Sequence, residues 1–487
     1  MTIGEFVLQV ERDLGMPPTA EQHGAIDCFA RFLSDRDDRS LMILRGSAGT
    51  GKTTVASAMV RTLKRYGQKT VLLAPTGRAA KVFSLNSGQQ AFTIHRRIYR
   101  QKSLDSGFGL GFNSARNTLF LVDEASMISA MTTSSFVDSG MTGGSLLDHL
   151  VSYVYGEGTG GGGQGAEGRG CRLLLIGDPA QLPPVGEEEA PALDASTLRQ
   201  YGLHVYESTL SEVVRQAEES GILWNATQVR ALLDGADLHW PQIRFEGFAD
   251  VKRVPGDELI ETLASSYSRV GIDETMVVTR SNKRANVYNI GIRNTILGYD
   301  EELSTGDLLM VVKNKYLKVQ EDKDKGQEQG GLDFIANGDR ARVVRVRNVR
   351  ELYGFRFATV WLQFPDYDDF ELQSTVLLDT LTSEAPALTH EQSEQLYERV
   401  MEDYADIPQK AERLKQLKED EHFNALQVKF AYAVTCHKAQ GGQWAHVYID
   451  QGYMTEDMLT PDYIHWLYTA LTRATETVYL VNWPETR

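Results

Sequence analysis

The chain has only three cysteines, Cys28, Cys171 and Cys436, in 487 residues. They are too few and too scattered for a disulfide framework or a zinc site built on paired thiolates, and they read as reduced structural thiols. No uninterrupted apolar run approaches the roughly 20 residues that a membrane helix requires. The segment from Met1 to Gly15 mixes Glu5, Glu11, Arg12 and Asp13 among its apolar positions, so it lacks the continuous apolar stretch of a secretory signal. A cytoplasmic protein with no membrane partner is expected. A basic balance is also missing: the net charge is -16, which as a sum argues against a nucleic-acid partner. A sum conceals distribution, however. Arg96, Arg97, Arg100 and Lys102, or Arg342, Arg345, Arg347 and Arg350, are either parts of a basic groove between acidic faces or ordinary solvated charge.

With 42% hydrophobic and 24% charged residues, the chain has the balance of a folded protein, and its length favours several domains. Short apolar runs at Leu41 to Leu44, Val71 to Ala74, Leu119 to Val122 and Leu173 to Ile176 each end on polar or Gly/Pro residues. They suit buried parallel strands whose functional loops lie at their carboxyl ends. A helix is expected from Thr53 to Tyr66. A second set of runs, Met276 to Thr279, Val447 to Ile449 and Val478 to Val481, with a helix from Tyr463 to Ala474, predicts a second α/β domain.

The gap after Thr279 is too long for one crossover, so it holds an insertion. Ala341 to Val346, Phe355 to Phe364 and Phe370 to Leu378 are β-branched, aromatic or alternating and predict a small antiparallel module. A helical piece follows: Thr389 with Gln392 forms a capping box for a helix toward Tyr404, and Pro408 suits the first turn of another reaching Glu419. The stretch 156–170, GEGTGGGGQGAEGRG, has almost nothing to bury and reads as a surface loop.

Gly46-Ser47-Ala48-Gly49-Thr50-Gly51-Lys52-Thr53 matches the P-loop pattern between an expected strand and an expected helix. Glycines let main-chain N–H groups close around phosphates, Lys52 reaches the β and γ phosphates, and Thr53 offers its hydroxyl to Mg²⁺. Asp123 and Glu124 follow a strand beside the P-loop. Asp123 would hold Mg²⁺, and Glu124 would orient and deprotonate an attacking water. Gly177-Asp178-Pro179-Ala180-Gln181-Leu182-Pro183-Pro184 follows the next strand, where Gln181 could meet the γ-phosphate or that water.

These last residues resemble motif III of superfamily 1 helicases, and further motifs of that group appear in order along the chain. Gln22 resembles the glutamine that reads adenine. Pro75-Thr76-Gly77-Arg78 and Thr93-Ile94-His95-Arg96 resemble strand-contacting motifs. Leu210 to Gln216 resembles a motif whose arginine, here Arg215, reaches the γ-phosphate across an interdomain cleft. Thr435-Cys436-His437-Lys438-Ala439-Gln440-Gly441-Gly442 and Tyr468 to Arg473 resemble motifs V and VI, Arg473 being a second such arginine. Read without the family, Cys436 and His437 would suggest a nucleophile or a metal site, but adjacent residues on an extended strand face opposite ways and no third ligand is indicated. The spelling is closest to the RecD/Dda-like, 5′-to-3′ (superfamily 1B) branch.

The resemblance implies an α/β fold of two RecA-like domains. The first would span 1–210 with a wedge hairpin near 98–117 and the Gly-rich loop near 139–170. The second would comprise 211–300 and 426–487, and an SH3-like β module with a helical extension would occupy 301–425. Phe108 and Phe112 of the hairpin either split base pairs or pack the hairpin onto its neighbour. The implied nucleotide set is Gln22, Gly46, Ala48, Gly49, Thr50, Gly51, Lys52, Thr53, Thr54 and Gly441, serving ATP and Mg²⁺. The implied catalytic set is Lys52, Glu124, Gln181, Arg215 and Arg473. The implied DNA set is Pro75, Thr76, Arg78, His95, Arg96, Phe108, Thr435, His437 and Lys438. Single-stranded DNA, single-strand/duplex junctions and DNA repair or replication proteins are the implied partners. Two other readings stay open, a P-loop ATPase of another class and the motor subunit of a helicase–nuclease complex.

Overall fold

The short apolar runs become the central strands of two parallel sheets. The structure, a computed structural model, describes residues 2–101, 108–132, 143–156, 170–214, 220–235, 238–317 and 334–484. Most of the Gly-rich stretch, Lys102 and Arg215 lie outside these residues.

The first lobe contains β1 (Ser40–Gly46), β2 (Lys69–Ala74), β3 (Ala91–Thr93), a hairpin of β4 (Tyr99–Gln101) and β5 (Phe108–Leu110), then β6 (Thr118–Val122), β7 (Arg172–Gly177) and β8 (His204–Leu210). Its sheet runs in the order β3-β2-β6-β7-β1-β8 with every pair parallel. Both faces are covered, which explains runs that are continuous rather than alternating. Leu41 and Ile43 pack with Phe120, Val122, Leu173 and Leu175 against the helix Leu146–Tyr155. Met42 and Leu44 face the other way, onto Phe29, Val55 and Met59 of the flanking helices.

The second lobe contains β9 (Val251–Val254) and β10 (Thr275–Thr279) before the insertion. The insertion holds β11 (Leu308–Val311), β12 (Lys315–Tyr316), β13 (Phe334–Ile335), β14 (Arg340–Leu352), β15 (Phe355–Phe364), β16 (Phe370–Leu377) and β17 (Leu426–Phe430). The lobe resumes with β18 (Ala433–Thr435), β19 (Trp444–Asp450) and β20 (Ala474–Val481). Its parallel sheet has the order β18-β10-β19-β20-β9, while β11, β14, β15, β16 and β17 close a barrel. β9 carries no apolar run because it is an edge strand: Val251 and Val254 are buried while Lys252 and Arg253 face solvent.

Three sequence expectations change here. The segment Leu426–Phe430, assigned to the second lobe, instead closes the barrel through β11 and β16. The chain then enters β18 after two residues, so barrel and lobe share one hydrophobic core in which Met276 and Val278 join Leu309, Val343 and Val360. Pro408 precedes the cap Gln409 of the helix Lys410–Glu419 rather than occupying its first turn. The helix expected over Tyr463 to Ala474 runs Pro461–Leu471, and Ala474 already begins β20. The capping box at Thr389 and Gln392 forms as read, and that helix lays Leu396 and Val400 on Phe355, Phe357 and Leu377 of the barrel.

A buried ion pair joins barrel to lobe. Arg293 donates to both oxygens of Asp307, at 2.8 and 2.9 Å, and Asp307 also accepts from Tyr432 Oη and Ser304 N. Asp307→Ala would leave a guanidinium buried without its charge partner, so it should lower unfolding stability by about 3–5 kcal/mol. Denaturant titration checks this, and a loss below about 1 kcal/mol would show the pair to be dispensable. Among the described residues, no helix is long and apolar enough to cross a membrane.

Candidate nucleotide site at the junction of the lobes

The P-loop lies where β1 passes into the helix Lys52–Arg65. Gly49 and Gly51 take φ values of 77° and 81°, a region costly for residues with a Cβ, and this turns the loop back toward the helix. A Cβ at Gly46 would sit 2.8 Å from both Lys52 Cγ and Thr50 Oγ1, so the loop closes only around glycine there. Lys52 Nζ donates to Ser47 O at 2.8 Å and stands 3.9 Å from Asp178 Oδ2. Thr53 is half-buried and Thr54 exposed in the first helical turn.

Gln22 sits beside the loop with both ends of its amide engaged. Its Oε1 accepts from Thr19 N in the capping box, and its Nε2 donates to Thr50 O at 3.0 Å. Gly51 is tight against it, since a Cβ there would lie 2.7 Å from Gln22 Nε2.

Asp123 and Glu124 emerge from β6. Glu124 is in the left-handed region at φ 53°, and its N–H donates to Asp123 Oδ1 at 2.9 Å. Burial, with the Glu124 charge beside it, raises the Asp123 carboxyl above the ordinary carboxylate range, while Lys52 pulls it down. A divalent cation at this carboxylate would relieve that strain, so the donor set of Thr53 and Asp123 fits Mg²⁺ chemically. Gln181 is 5% exposed, and its Oε1 is buried with no hydrogen-bond partner. An acceptor left open in this way suits the O–H of a water better than a phosphate oxygen.

The second lobe reaches this site through the helix Pro461–Leu471. His465, Tyr468 and Thr469 share a face of it, being three and four residues apart. His465 Nδ1 donates to Ala180 O at 2.8 Å, and Thr469 Oγ1 accepts from Leu182 N at 2.8 Å. Tyr468 Oη accepts from Ala48 N at 2.8 Å and donates to Asp178 Oδ2 at 2.6 Å. Gln440 Nε2 adds a bond to Leu182 O at 2.6 Å. Arg473, 2% exposed, donates to Thr469 O, Gly442 O and Thr472 Oγ1, and its guanidinium stands 4.0 Å from Glu124 Oε1. Sequence reading singled out Arg473 from its motif and passed over Tyr468, Thr469 and His465. The helical spacing was the available signal.

The residues assigned to strand contact divide. Arg78 is spent between the lobes: it stacks over Trp444 at 4.8 Å, bonds Gln443 O and pairs with Glu274 at 3.5 Å. Thr76 caps the helix Gly77–Ser87, which follows Pro75. Gly441, assigned to the nucleotide, lies against Thr76, Ala79 and Met127 instead of the P-loop. His95 stacks on Phe334 of the barrel region at 5.6 Å, and Arg96 lies over Phe92. Thr435 and Lys438 line a small recess with Asn282, Asn286 and Lys429, and Lys438 bonds Asn337. His437 is exposed. Cys436 and His437 begin a short helix and are not on a strand, which corrects the geometric reason for excluding them from chemistry. The exclusion stands on another ground: Cys436 is buried, its thiol is pushed up to about 12 by burial, and it donates to Trp466 O. Phe108 contributes main chain to the hairpin, and its side chain lies outside the described residues. Phe112 is 67% exposed and so does not pack the hairpin down.

The two basic sets also separate. Arg342 and Arg350 pair with Asp273 and Glu421, and Arg345 stacks on Trp361. Three of the four arginines of the barrel set are therefore engaged within the protein. A cleft of about 490 Å³, lined by Arg280, Ser281, Arg284, Asp450, Gln451 and Tyr453, opens at the carboxyl ends of β10 and β19. None of these residues lies in a motif legible in the sequence.

A P-loop met by a helix of a second parallel-sheet lobe, with Arg473 just past the end of that helix, defines a two-lobed P-loop protein. Residues 34–187 match the AAA domain family, and 430–481 match the UvrD-like helicase C-terminal domain. An ATP-dependent RecD2 DNA helicase of Deinococcus radiodurans is 29% identical over 232 residues, covering 46% of this chain and 26% of that protein. The ATP-dependent DNA helicase dda of Enterobacteria phage T4 is 23% identical over 313 residues, covering 60% of each. The chain thus spans about a quarter of the first relative's length and three fifths of the second's. A crystal structure of a Pif1 helicase from Bacteroides aligns over 97% of this chain and 94% of its own, at 16% identity and a TM-score of 0.43. Over part of its length the chain is thus similar to ATP-dependent DNA helicases of the RecD2 and Dda kind.

Proposed function

We propose that the protein is an ATP-driven motor that moves 5′ to 3′ along single-stranded DNA and unwinds duplex at strand junctions. The observation that carries this reading is the junction itself: P-loop, Glu124 and Gln181 on one lobe face Tyr468, Thr469 and Arg473 on the other. In this reading the two parallel sheets are RecA-like domains and the closed barrel is an SH3-like insertion.

Phosphoryl transfer asks mainly for positioning and charge stabilisation. The P-loop main chain and Lys52 would hold the β and γ phosphates. Glu124 would take the proton of a water whose orientation Gln181 Oε1 helps to set, and Arg473, with Arg215, would balance charge growing on the γ-phosphate. Thr53 and Asp123 would hold Mg²⁺, which supplies charge neutralisation between the β and γ phosphates. The γ-phosphate thereby favours closed lobes and its loss favours open ones, a population shift set by differential contacts. If each lobe grips the strand differently in the two states, one turnover becomes one step.

The two relatives, both ATP-dependent DNA helicases, support the DNA motor, while the polarity rests on the motif resemblance. Strand displacement tests them: a duplex with a 5′ single-stranded tail should be unwound with ATP, and one with a 3′ tail should not. Single-stranded DNA should also stimulate ATP hydrolysis. Lack of stimulation by any nucleic acid would favour a P-loop ATPase of another class. Unwinding seen only together with a nuclease subunit would favour the helicase–nuclease reading.

A further inference from the structure

The hydroxyl of Tyr468 is a junction of three elements. The side chain is 1% exposed. Its oxygen accepts from Ala48 N, inside the P-loop, at 2.8 Å, and its hydrogen goes to Asp178 Oδ2 at 2.6 Å. That same carboxylate oxygen stands 3.9 Å from Lys52 Nζ, and its companion Oδ1 accepts from Ala180 N at 3.0 Å at the start of the loop carrying Gln181. One phenol from the second lobe therefore holds the P-loop main chain and the anion that balances the P-loop lysine.

We propose that Tyr468 is a positioning residue for nucleoside triphosphate hydrolysis, whose hydroxyl fixes the P-loop and Asp178 so that Lys52 is set for the phosphates when the lobes are docked. This rests on the reading of the junction as a hydrolytic site. A phenol is suited to the place because it accepts and donates through one atom. Phenylalanine would keep the ring packing and lose both bonds, leaving a buried N–H and a buried carboxylate oxygen each short of a partner. The first lobe's own N–H groups and Lys52 would still capture nucleotide. The deficit should therefore fall on turnover rather than on nucleotide capture.

The test is steady-state ATP hydrolysis by the full chain, wild type against Tyr468→Phe, with and without single-stranded DNA. The expected result is a fall in kcat of about tenfold or more in both conditions, a KM for ATP within about twofold of wild type, and a melting temperature lowered by no more than a few degrees. Because Tyr468 acts through Asp178, the double variant with Asp178→Asn should lose little more than the worse single variant. An unchanged kcat, a rise in KM alone, strictly additive losses, or a Tyr468→Phe chain that melts far below wild type would each overturn the proposal. Absence of hydrolysis in the wild type would instead sink the hydrolytic reading on which it rests.

Discussion

Lys52→Ala is expected to lower kcat for ATP hydrolysis by on the order of 10³ or more and to abolish strand displacement with it. The lysine is half-enclosed, with one bond to Ser47 O and a distant approach to Asp178, so little of the fold depends on it. Asp178 keeps its bonds from Tyr468 and Ala180 when the ammonium is removed. The damage should thus be confined to chemistry: the melting temperature stays near that of wild type, and nucleotide still reaches the loop N–H groups with weakened affinity. Steady-state hydrolysis and a melting curve on the same preparation separate the two effects. A variant retaining more than about a tenth of the activity would place the phosphates elsewhere.

Arg473→Lys should cost on the order of 10³ in kcat, the lower end of what an arginine finger contributes in phosphoryl transfer. Lysine keeps a positive charge but cannot reproduce the planar fork that reaches Thr469 O, Gly442 O and Thr472 Oγ1 at once. The ammonium would also lose the flat approach to Glu124, the proposed base, which stands 4.0 Å from the guanidinium. Unlike Lys52, this residue also holds structure together, so some loss of stability should accompany the loss of rate. Comparing kcat at a temperature well below the melting transition isolates the catalytic part. A loss under tenfold would transfer the role of the finger to Arg215.

Both variants concern residues whose motifs were legible in the sequence, and the reason is local. A P-loop is built by neighbours: Gly46, Gly49 and Gly51 meet steric and φ requirements that favour glycine, and strand and helix follow at once. The buried parallel strands were equally readable, because covering both faces removes alternation from runs such as Leu119 to Val122. The capping box at Thr389 needs only two residues in register. β9 was not readable, since an edge strand with two exposed charges imitates a loop. The barrel boundary was hidden because β17 and β18 follow one another with only two residues between them, yet serve two different sheets.

The site divides in the same way. Chain order alone was enough to propose Lys52, Thr53, Asp123, Glu124 and Gln181, because each follows closely on a strand whose pattern announces it. Partners contributed from a distance left no such mark. Ala48 and Tyr468 are 420 positions apart and Tyr468 and Asp178 are 290 apart, yet one hydroxyl joins them. Arg78 and His95 show the converse: motif resemblance assigned them to a DNA strand, whereas packing brings Arg78 onto Trp444 and His95 onto Phe334. The opening motif was a P-loop and two carboxylates, written in short-range sterics and strand periodicity. The other wall of the cleft emerged only on folding, because a hydrogen bond between distant segments depends on how the lobes dock, and no spacing along the chain records that.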